Sequence, residues 1–146
     1  MKPEQIQEFR SFNRFYTDIV GLLDKHILNS KYSLIEARIL FELNNGKGLT
    51  ASDIIGLVDI DKGYLSRILK KFEKARLIKK VDSLKDKRVV ALQLSELGKK
   101  EFEKLDKASD KQAEDLFKNL SESECNRLIT KMAEIRLLMK KGIKYE

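Results

Sequence analysis

The sequence has little of the residues that define several other classes of protein: one cysteine, one proline, one histidine, no tryptophan and seven glycines in 146 residues. A lone cysteine, Cys125, excludes an internal disulfide and a multi-cysteine metal site, and it is typical of a reducing cytoplasm. The single histidine, His26, has no second histidine or cysteine nearby to complete a metal site. Scarce proline and glycine, with 36% charged residues, indicate a helix-rich soluble protein.

Long apolar runs are also missing. The stretch from Ile54 to Val58 is far shorter than the roughly 18 residues that a membrane span needs. The N-terminus opens directly into an amphipathic pattern, without the apolar core of a secretion signal. The chain also shows no glycine-rich phosphate loop and no nucleophile beside a base. We therefore expect a cytoplasmic protein that is not an enzyme and that uses no membrane, metal or cofactor.

The net charge of +7 is concentrated in one segment. Residues 61–88 contain 11 lysines and arginines against 4 aspartates and glutamates, whereas the rest of the chain contains 19 of each. Excess positive charge that is confined to one short segment is typical of a surface that neutralises nucleic-acid phosphates.

Periodic apolar residues predict four helices in the first half of the chain. They cover residues 3–28, 33–43, 50–57 and 61–76. The last three begin at residues that commonly cap helices: Ser33, Thr50 and Asp61. Asp53, three residues after Thr50, completes a capping box. The third and fourth helices meet at a short turn, as in a helix-turn-helix.

A β-hairpin is predicted directly after the fourth helix. Residues 77–82 and 88–94 are rich in β-branched or apolar residues, and the basic turn 83–87 separates them. A helix-turn-helix followed by such a hairpin is the element order of a winged helix. In that fold one helix enters the major groove of DNA, while the hairpin tip reaches the flanking backbone or minor groove.

Two more helices complete the prediction. Ser95 caps the first, which runs to about Asn119 with Leu97 and Phe102 among its inward residues. A capping box at Ser121 opens the last helix, whose apolar stripe contains Leu128, Met132, Ile135 and Met139. The predicted fold class is mainly α, or α+β by strict count: a winged helix-turn-helix with a two-stranded β wing, flanked by long terminal helices.

The two terminal helices bear on the oligomeric state. Their apolar stripes exceed what a 146-residue monomer can readily cover, which predicts a homodimer. Ordinary packing within one chain is the alternative. Within a single unit of 146 residues, we expect residues 1–30 and 96–146 to form the dimerisation region and residues 31–95 the DNA-binding region. Isologous pairing would then set two recognition helices about 34 Å apart.

The fourth helix carries most of the candidate DNA contacts. When its apolar residues are buried, the opposite face presents Lys62, Gly63, Ser66, Arg67, Lys70 and Lys74, with Tyr64 and Lys71 on the flanks. The start of a recognition helix enters the groove deepest, so the residues expected to reach base edges are Lys62, Tyr64, Ser66 and Arg67. The later lysines, Lys70, Lys71 and Lys74, are expected to contact phosphates.

The hairpin turn supplies a second basic element. Lys85, Lys87 and Arg88 can contact the backbone or the minor groove, and an arginine suits a narrow A·T groove with its concentrated negative potential. Asp86 is the acidic exception. We expect its carboxylate to brace the Arg88 guanidinium, because a bare carboxylate would repel phosphate.

These segments resemble the MarR family of bacterial transcriptional regulators. Residues 58–78 are similar to the recognition-helix segment of that family, and residues 34–43 are similar to its second helix. Asp86-Lys87-Arg88, followed by the serine-capped helix that starts at Ser95, resembles the wing motif Asp-x-Arg. The resemblance implies an obligate homodimer that binds a pseudo-palindrome, with contacts from Lys62, Tyr64, Ser66, Arg67 and Arg88.

Two residues beside the recognition helix depart from the family pattern. Asp59 and Arg76 stand where relatives often have glycine, which predicts differently shaped turns beside the recognition helix.

The resemblance also implies release from DNA by a small aromatic or anionic effector. The ligand-binding residues are unknown, and candidates for lining a crevice are Phe15, Tyr16, Tyr32 and Arg38. A redox role for Cys125 is not expected, because sensing relatives carry their cysteine in the first helix.

The sequence thus favours a sequence-specific transcriptional regulator, a repressor, whose partner is double-stranded DNA. The alternative is a winged helix that serves as a protein-interaction module and binds an acidic partner with the same basic face.

Overall fold

The computed structural model describes residues 1–27, 30–82 and 89–143. Within these residues the chain forms six α-helices and one antiparallel sheet of two strands. The predicted fold class and element order are confirmed. The bounds are α1 Pro3–Ile27, α2 Leu34–Asn45, α3 Ala51–Val58, α4 Lys62–Lys74, β1 Ile78–Asp82, β2 Val90–Leu94, α5 Glu96–Phe117 and α6 Glu122–Gly142.

The contacts divide the chain into two units, Met1–Ser109 and Asp110–Glu146, with the boundary inside α5. The first unit contains the buried core, and the second contains the end of α5 and all of α6. The division into a DNA-binding region and a dimerisation region stays a prediction. None of the described helices combines the length and apolar composition that a membrane crossing requires.

The predicted helix starts are confirmed in atomic detail. The Thr50 hydroxyl accepts a hydrogen bond from the Asp53 N–H, and the Asp53 carboxylate accepts one from the Thr50 N–H. The Asp61 carboxylate accepts from the Tyr64 N–H at 2.9 Å. Ser33, predicted only as a cap, forms a complete capping box with Glu36. Each cap satisfies backbone donors that a helix start leaves without partners.

The buried core of the first unit packs the elements of the winged helix against one another. Its largest fully buried side chains come from α2, α3, α4 and the residue before β1: Ile39, Leu40, Ile54, Leu65, Phe72 and Leu77. Burial of one such side chain stabilises the fold by about 1.5–3 kcal/mol. Because Leu65, Ile68 and Phe72 are all buried, one face of α4 is fixed inward and the opposite face is fixed outward.

The wing strands pair in a register that runs from Ile78 opposite Leu94 to Asp82 opposite Val90. An isolated bridge adds the loop before α3, because the Leu49 carbonyl accepts a hydrogen bond from the Leu92 N–H at 2.8 Å. This bridge fastens the loop to the sheet. The base of the wing is therefore anchored to the helix-turn-helix by backbone hydrogen bonds as well as by side-chain packing.

Helix α4 ends two residues earlier than predicted. The Leu77 N–H donates to the Phe72 carbonyl and the Arg76 N–H donates to the Glu73 carbonyl, both at 2.9 Å. This is a Schellman motif, and Arg76 has the positive φ of 57° that the motif requires. Burial of both Leu77 and Phe72 adds the apolar contact that commonly accompanies it.

The predicted inward position of Leu97 on α5 is wrong, since this side chain is 47% exposed. Gly98 faces the core instead, followed by Phe102. The spacing of apolar residues did not reveal this, because the inward residue at this point carries no side chain. Close packing of α5 against the chain before β1 selects glycine there.

Candidate nucleic-acid interface

The turns on both sides of α4 contain left-handed residues. Asp59 has φ 51° and Arg76 has φ 57°. Aspartate tolerates this conformation better than most residues, whereas arginine does not. The different turn shapes expected from the missing glycines are not found, because both residues adopt the backbone that glycine favours. Both turns therefore have the backbone conformation that glycine would adopt, and at Arg76 this conformation costs free energy.

The outward face of α4 presents a row of cations. The row consists of Arg67, Lys70 and Lys74, which follow the uncharged Gly63 at helical spacing. All four residues are exposed. Among the residues that the structure describes, no acidic side chain forms an ion pair with these three cations. The helix has a single acidic residue, Glu73, and it lies on the flank of this row. The row therefore presents unneutralised positive charge to the solvent.

Arg67 and Tyr64 form a cation–π contact near the start of the helix. The guanidinium carbon lies 5.6 Å from the centre of the tyrosine ring, and Tyr64 is 41% exposed. Such a contact is worth about 0.5–1 kcal/mol at an exposed site, enough to favour one orientation of the arginine. The structure thus brings together two of the residues predicted to reach base edges.

The two flanks of α4 are tied to neighbouring elements. On one flank Lys71 donates to the buried carboxylate of Glu36 on α2, with Nζ and Oε1 2.7 Å apart. On the other flank Lys80 of β1 lies 2.8 Å from the carboxylate of Glu73. Sequence reasoning assigned Lys71 to phosphate contact and did not single out Glu36, Glu73 or Lys80. The Ser-x-x-Glu pattern at Ser33 was the signal that pointed to Glu36.

A cleft of about 430 Å³ lies between α3, the Lys80 flank of α4 and the sheet. Ile55, Leu65 and Leu92 form part of its apolar wall. Three lysines and the carboxylate of Glu73, which pairs with one of them, also line the cleft. The predicted DNA-binding residues among the lining are Lys62, Ser66 and Lys70. The cleft can therefore receive a small molecule with an apolar body and a negative charge next to the predicted DNA contacts.

The wing tip lies outside the described residues. Lys85, Asp86, Lys87 and Arg88 belong to this segment, so their predicted contacts stay predictions. The strands that lead to it are described, and Val89 and Val90 beside it are exposed. The hairpin that was predicted to carry these residues is thus present up to Asp82 and from Val89 onward.

The sequence of the winged helix matches a family model. Residues 31–89 fit the model of the MarR family, and they span α2, α3, α4, β1 and the segment up to β2. The part of the chain that matches the family model is thus the winged helix itself. The resemblance to this family that the sequence predicted is confirmed for these residues. No curated protein sequence matches the chain significantly.

Solved structures of MarR-family proteins share the fold over nearly the whole chain. A mutant of E. coli MarR superposes with a TM-score of 0.75 at 18% identity, covering 86% of this chain and 93% of that one. A mutant of S. aureus MepR gives 0.74 at 18% identity, with 95% and 99% covered. Bordetella bronchiseptica BpsR, whose DNA binding is regulated by 6-hydroxynicotinic acid, gives 0.70 at 18% identity, with 93% of each chain covered.

The residues considered for an effector crevice differ in burial and in their partners. Tyr32 is a core residue, and its hydroxyl donates to Glu101 at 3.0 Å. Burial raises the pKa of Tyr32 above its ordinary value of 10.0, so the hydroxyl remains a donor. Arg38 is exposed and pairs with Glu42 at 2.6 Å. Phe15 and Tyr16 are exposed on α1.

Composition also singled out Cys125 and His26. Cys125 is a free, half-buried cysteine at the start of α6. His26 lies outside the described side chains. Across the described ranges no group of three histidine, cysteine, aspartate or glutamate side chains is arranged to hold a metal ion.

Proposed function

We propose that this chain is a sequence-specific DNA-binding regulator, a repressor that acts as a homodimer on a pseudo-palindromic operator. The observation that carries the proposal is the exposed basic row Arg67, Lys70 and Lys74 on the outward face of α4 in a MarR-family winged helix. Cations without acidic partners attract phosphate most strongly, and within the described ranges the three cations of the row form no ion pair. In sequence, the predicted wing adds Lys85, Lys87 and Arg88 to the same basic segment.

Different residues have different tasks in this proposal. The start of α4 contacts base edges in the major groove through Lys62, Tyr64, Ser66 and Arg67. Lys70 and Lys74 lie further along the helix and contact phosphates. At the wing, Lys85, Lys87 and Arg88 contact the backbone or minor groove, with Asp86 bracing Arg88. Arg88→Ala should weaken binding mostly at sites with narrow flanking minor grooves, and an equal loss on all sequences would contradict this role.

The proposed homodimer is supported by apolar side chains that the single chain leaves exposed. On α1 these are Ile6, Phe9, Phe12 and Tyr16, and on α6 they are Ile129, Met132, Ile135 and Met139. Large exposed apolar surfaces commonly mark protein interfaces. Phe12→Glu should therefore shift the mass measured by sedimentation toward the monomer. Gln7→Glu, on the opposite face of α1, is the matched control and should leave the mass unchanged.

Release by a small aromatic or anionic effector is the finer part of the proposal. The cleft beside Lys62, Ser66 and Lys70 supports it, because a molecule bound there would occupy space next to the proposed DNA contacts. BpsR, which shares the fold, has DNA binding regulated by 6-hydroxynicotinic acid. A panel of aromatic carboxylic acids, added to a preformed complex with DNA, tests whether any of them lowers the anisotropy.

The main experiment measures duplex binding as a function of salt. Genomic fragments selected by the purified protein supply the operator, and fluorescence anisotropy gives its affinity. A dimer that neutralises about 6–10 phosphates should lose about 10³- to 10⁵-fold in affinity between 50 and 200 mM salt. Absence of salt-sensitive duplex binding would overturn the proposal.

The alternative is a module that binds an acidic protein through the same basic face. Substitution of Lys62, Ser66 and Arg67 separates the two functions, because base contacts are the source of sequence preference. Under the DNA proposal the triple alanine variant selects a different or less defined operator. Under the alternative, any duplex binding by the triple variant shows the same weak sequence preference as binding by the wild-type protein.

A further inference from the structure

We propose that Glu36 and Lys71 are a positioning pair that sets the rotation of α4 about its own axis, and hence the aim of the basic row at DNA. The inference rests on the proposed function. It replaces the phosphate contact that the sequence alone suggested for Lys71. It also gives a role to Glu36, an acidic residue that would otherwise count against DNA binding.

The geometry uses both oxygens of the Glu36 carboxylate. Oε2 accepts a hydrogen bond from the Ser33 N–H at 3.0 Å, which completes the capping box of α2. Oε1 accepts from Lys71 Nζ at 2.7 Å. Glu36 is only 8% exposed, the one buried charged residue in the described part of the chain. A single side chain therefore joins the start of α2 to the flank of α4.

Lys71 is held in this pair although about half of its side chain is exposed to solvent. A buried carboxylate that loses its cation is left with an unfavourable uncompensated charge. Transfer of Lys71 to a phosphate would have this consequence for Glu36. The adjacent residue Lys70 and the more distal Lys74 have no such partner among the described residues and belong to the outward row. The phosphate contacts are thus assigned to Lys70 and Lys74.

The Glu36–Lys71 pair adds a directional interaction, which the hydrophobic core does not supply. Leu65, Ile68 and Phe72 fix which face of α4 points inward, but hydrophobic attraction is not directional. A charge-assisted hydrogen bond is directional and short. Its attachment point at Lys71 lies one turn after Arg67 on neighbouring positions of the helix surface. A small rotation of α4 would stretch this hydrogen bond and move Arg67 with it.

The test compares the operator affinity and its salt dependence for the wild-type protein, four single variants and the double variant of the pair. Glu36→Gln removes the charge but keeps an oxygen that can accept from Ser33, so α2 remains capped. Lys71→Gln removes the other partner. Lys70→Gln is the control for a phosphate contact. Glu42→Gln is the control for structure, since it removes the charge that pairs with Arg38 on the same helix and leaves the Glu36–Lys71 pair in place.

If the pair positions α4, Glu36→Gln and Lys71→Gln each weaken binding about twofold to tenfold at every salt concentration, with the salt dependence unchanged. The double variant binds no more weakly than either single one. Lys70→Gln lowers the slope of log affinity against log salt by roughly 0.9 for each phosphate that the variant no longer neutralises. Glu42→Gln leaves both quantities at the wild-type value, even though it removes an ion pair.

Other results would overturn the inference. If Glu36 is merely a repulsive neighbour of DNA, Glu36→Gln tightens binding, because it removes a negative charge and releases Lys71. If Lys71 contacts phosphate, Lys71→Gln lowers the salt slope as Lys70→Gln does. Either result overturns the inference while leaving the proposed function intact. If the wild-type protein binds no duplex, the proposed function fails and the inference fails with it.

Discussion

Gly98 on α5 lies directly against the backbone carbonyl of Leu77, so closely that a β-carbon at this position would overlap the carbonyl group. The same carbonyl accepts a hydrogen bond from the Ser95 N–H at 2.8 Å. The Ser95 hydroxyl donates to the Arg76 carbonyl at 2.7 Å and accepts from the Gly98 N–H at 3.0 Å. The end of the recognition-helix motif and the start of α5 are thereby joined at one point.

Gly98→Ala should destabilise the protein by about 1–3 kcal/mol, the usual cost of forcing an extra methyl group into a packed site. The methyl group would meet backbone atoms, which cannot rotate away as a side chain could. Denaturant unfolding followed by circular dichroism measures the effect. Gly56→Ala on α3 is the control, because nothing lies within 4 Å of its added β-carbon. It should stabilise the protein by about 0.5–1 kcal/mol through helix propensity.

Arg76→Gly should be more stable than Arg76→Ala by about 1 kcal/mol, because Arg76 has the left-handed backbone that costs an L-residue roughly this much. Both variants lack the arginine side chain, so their difference isolates the backbone. Thermal unfolding at one pH gives the comparison. Equal stability of the two variants would show that the left-handed turn is not maintained in solution.

The carboxylate of Glu101 should make stability depend on acid pH. Hydrogen bonds from Lys104, Lys31 and Tyr32 lower the pKa of Glu101 from 4.5 to about 2. The folded state therefore binds this proton more weakly than the unfolded state. Its stabilising contribution is fully present above pH 4.5 and is lost as the pH falls toward 2. Glu101→Gln should accordingly flatten the decline of Tm over this range, whereas Glu103→Gln, exposed on the same helix, should follow the wild type.

Arg67→Ala should relax sequence preference at one operator position, with a loss of about 1–3 kcal/mol of discrimination between bases. The reason is that Arg67 stacks on Tyr64 near the start of α4, where the helix enters deepest. Binding to operators with single-base changes measures this discrimination. Lys74→Ala, further along the row, should weaken binding to all these operators by a similar factor. A uniform loss for Arg67→Ala would place it among the phosphate contacts instead.

The helix starts were predictable from the sequence because a capping interaction involves residues only three positions apart. Thr50 with Asp53 and Ser121 with Glu124 form the boxes that their spacing indicated. The end of α4 was less predictable, because it depends on burial of Leu77 against Phe72 as well as on local hydrogen bonds. The inward face of α5 was misjudged at Leu97, since periodicity counts apolar side chains and cannot recognise a buried glycine.

By itself, the sequence determined the order of the elements, the winged-helix class and the location of the positive charge. These features follow from capping, periodicity and charge counts within short segments. Only the tertiary structure decided which lysines of α4 have acidic partners. Glu36 and Lys71 are 35 positions apart in the chain and 2.7 Å apart in space. Whether a cation is available to DNA depends on such distant neighbours, because packing rather than local sequence brings the opposite charge within reach.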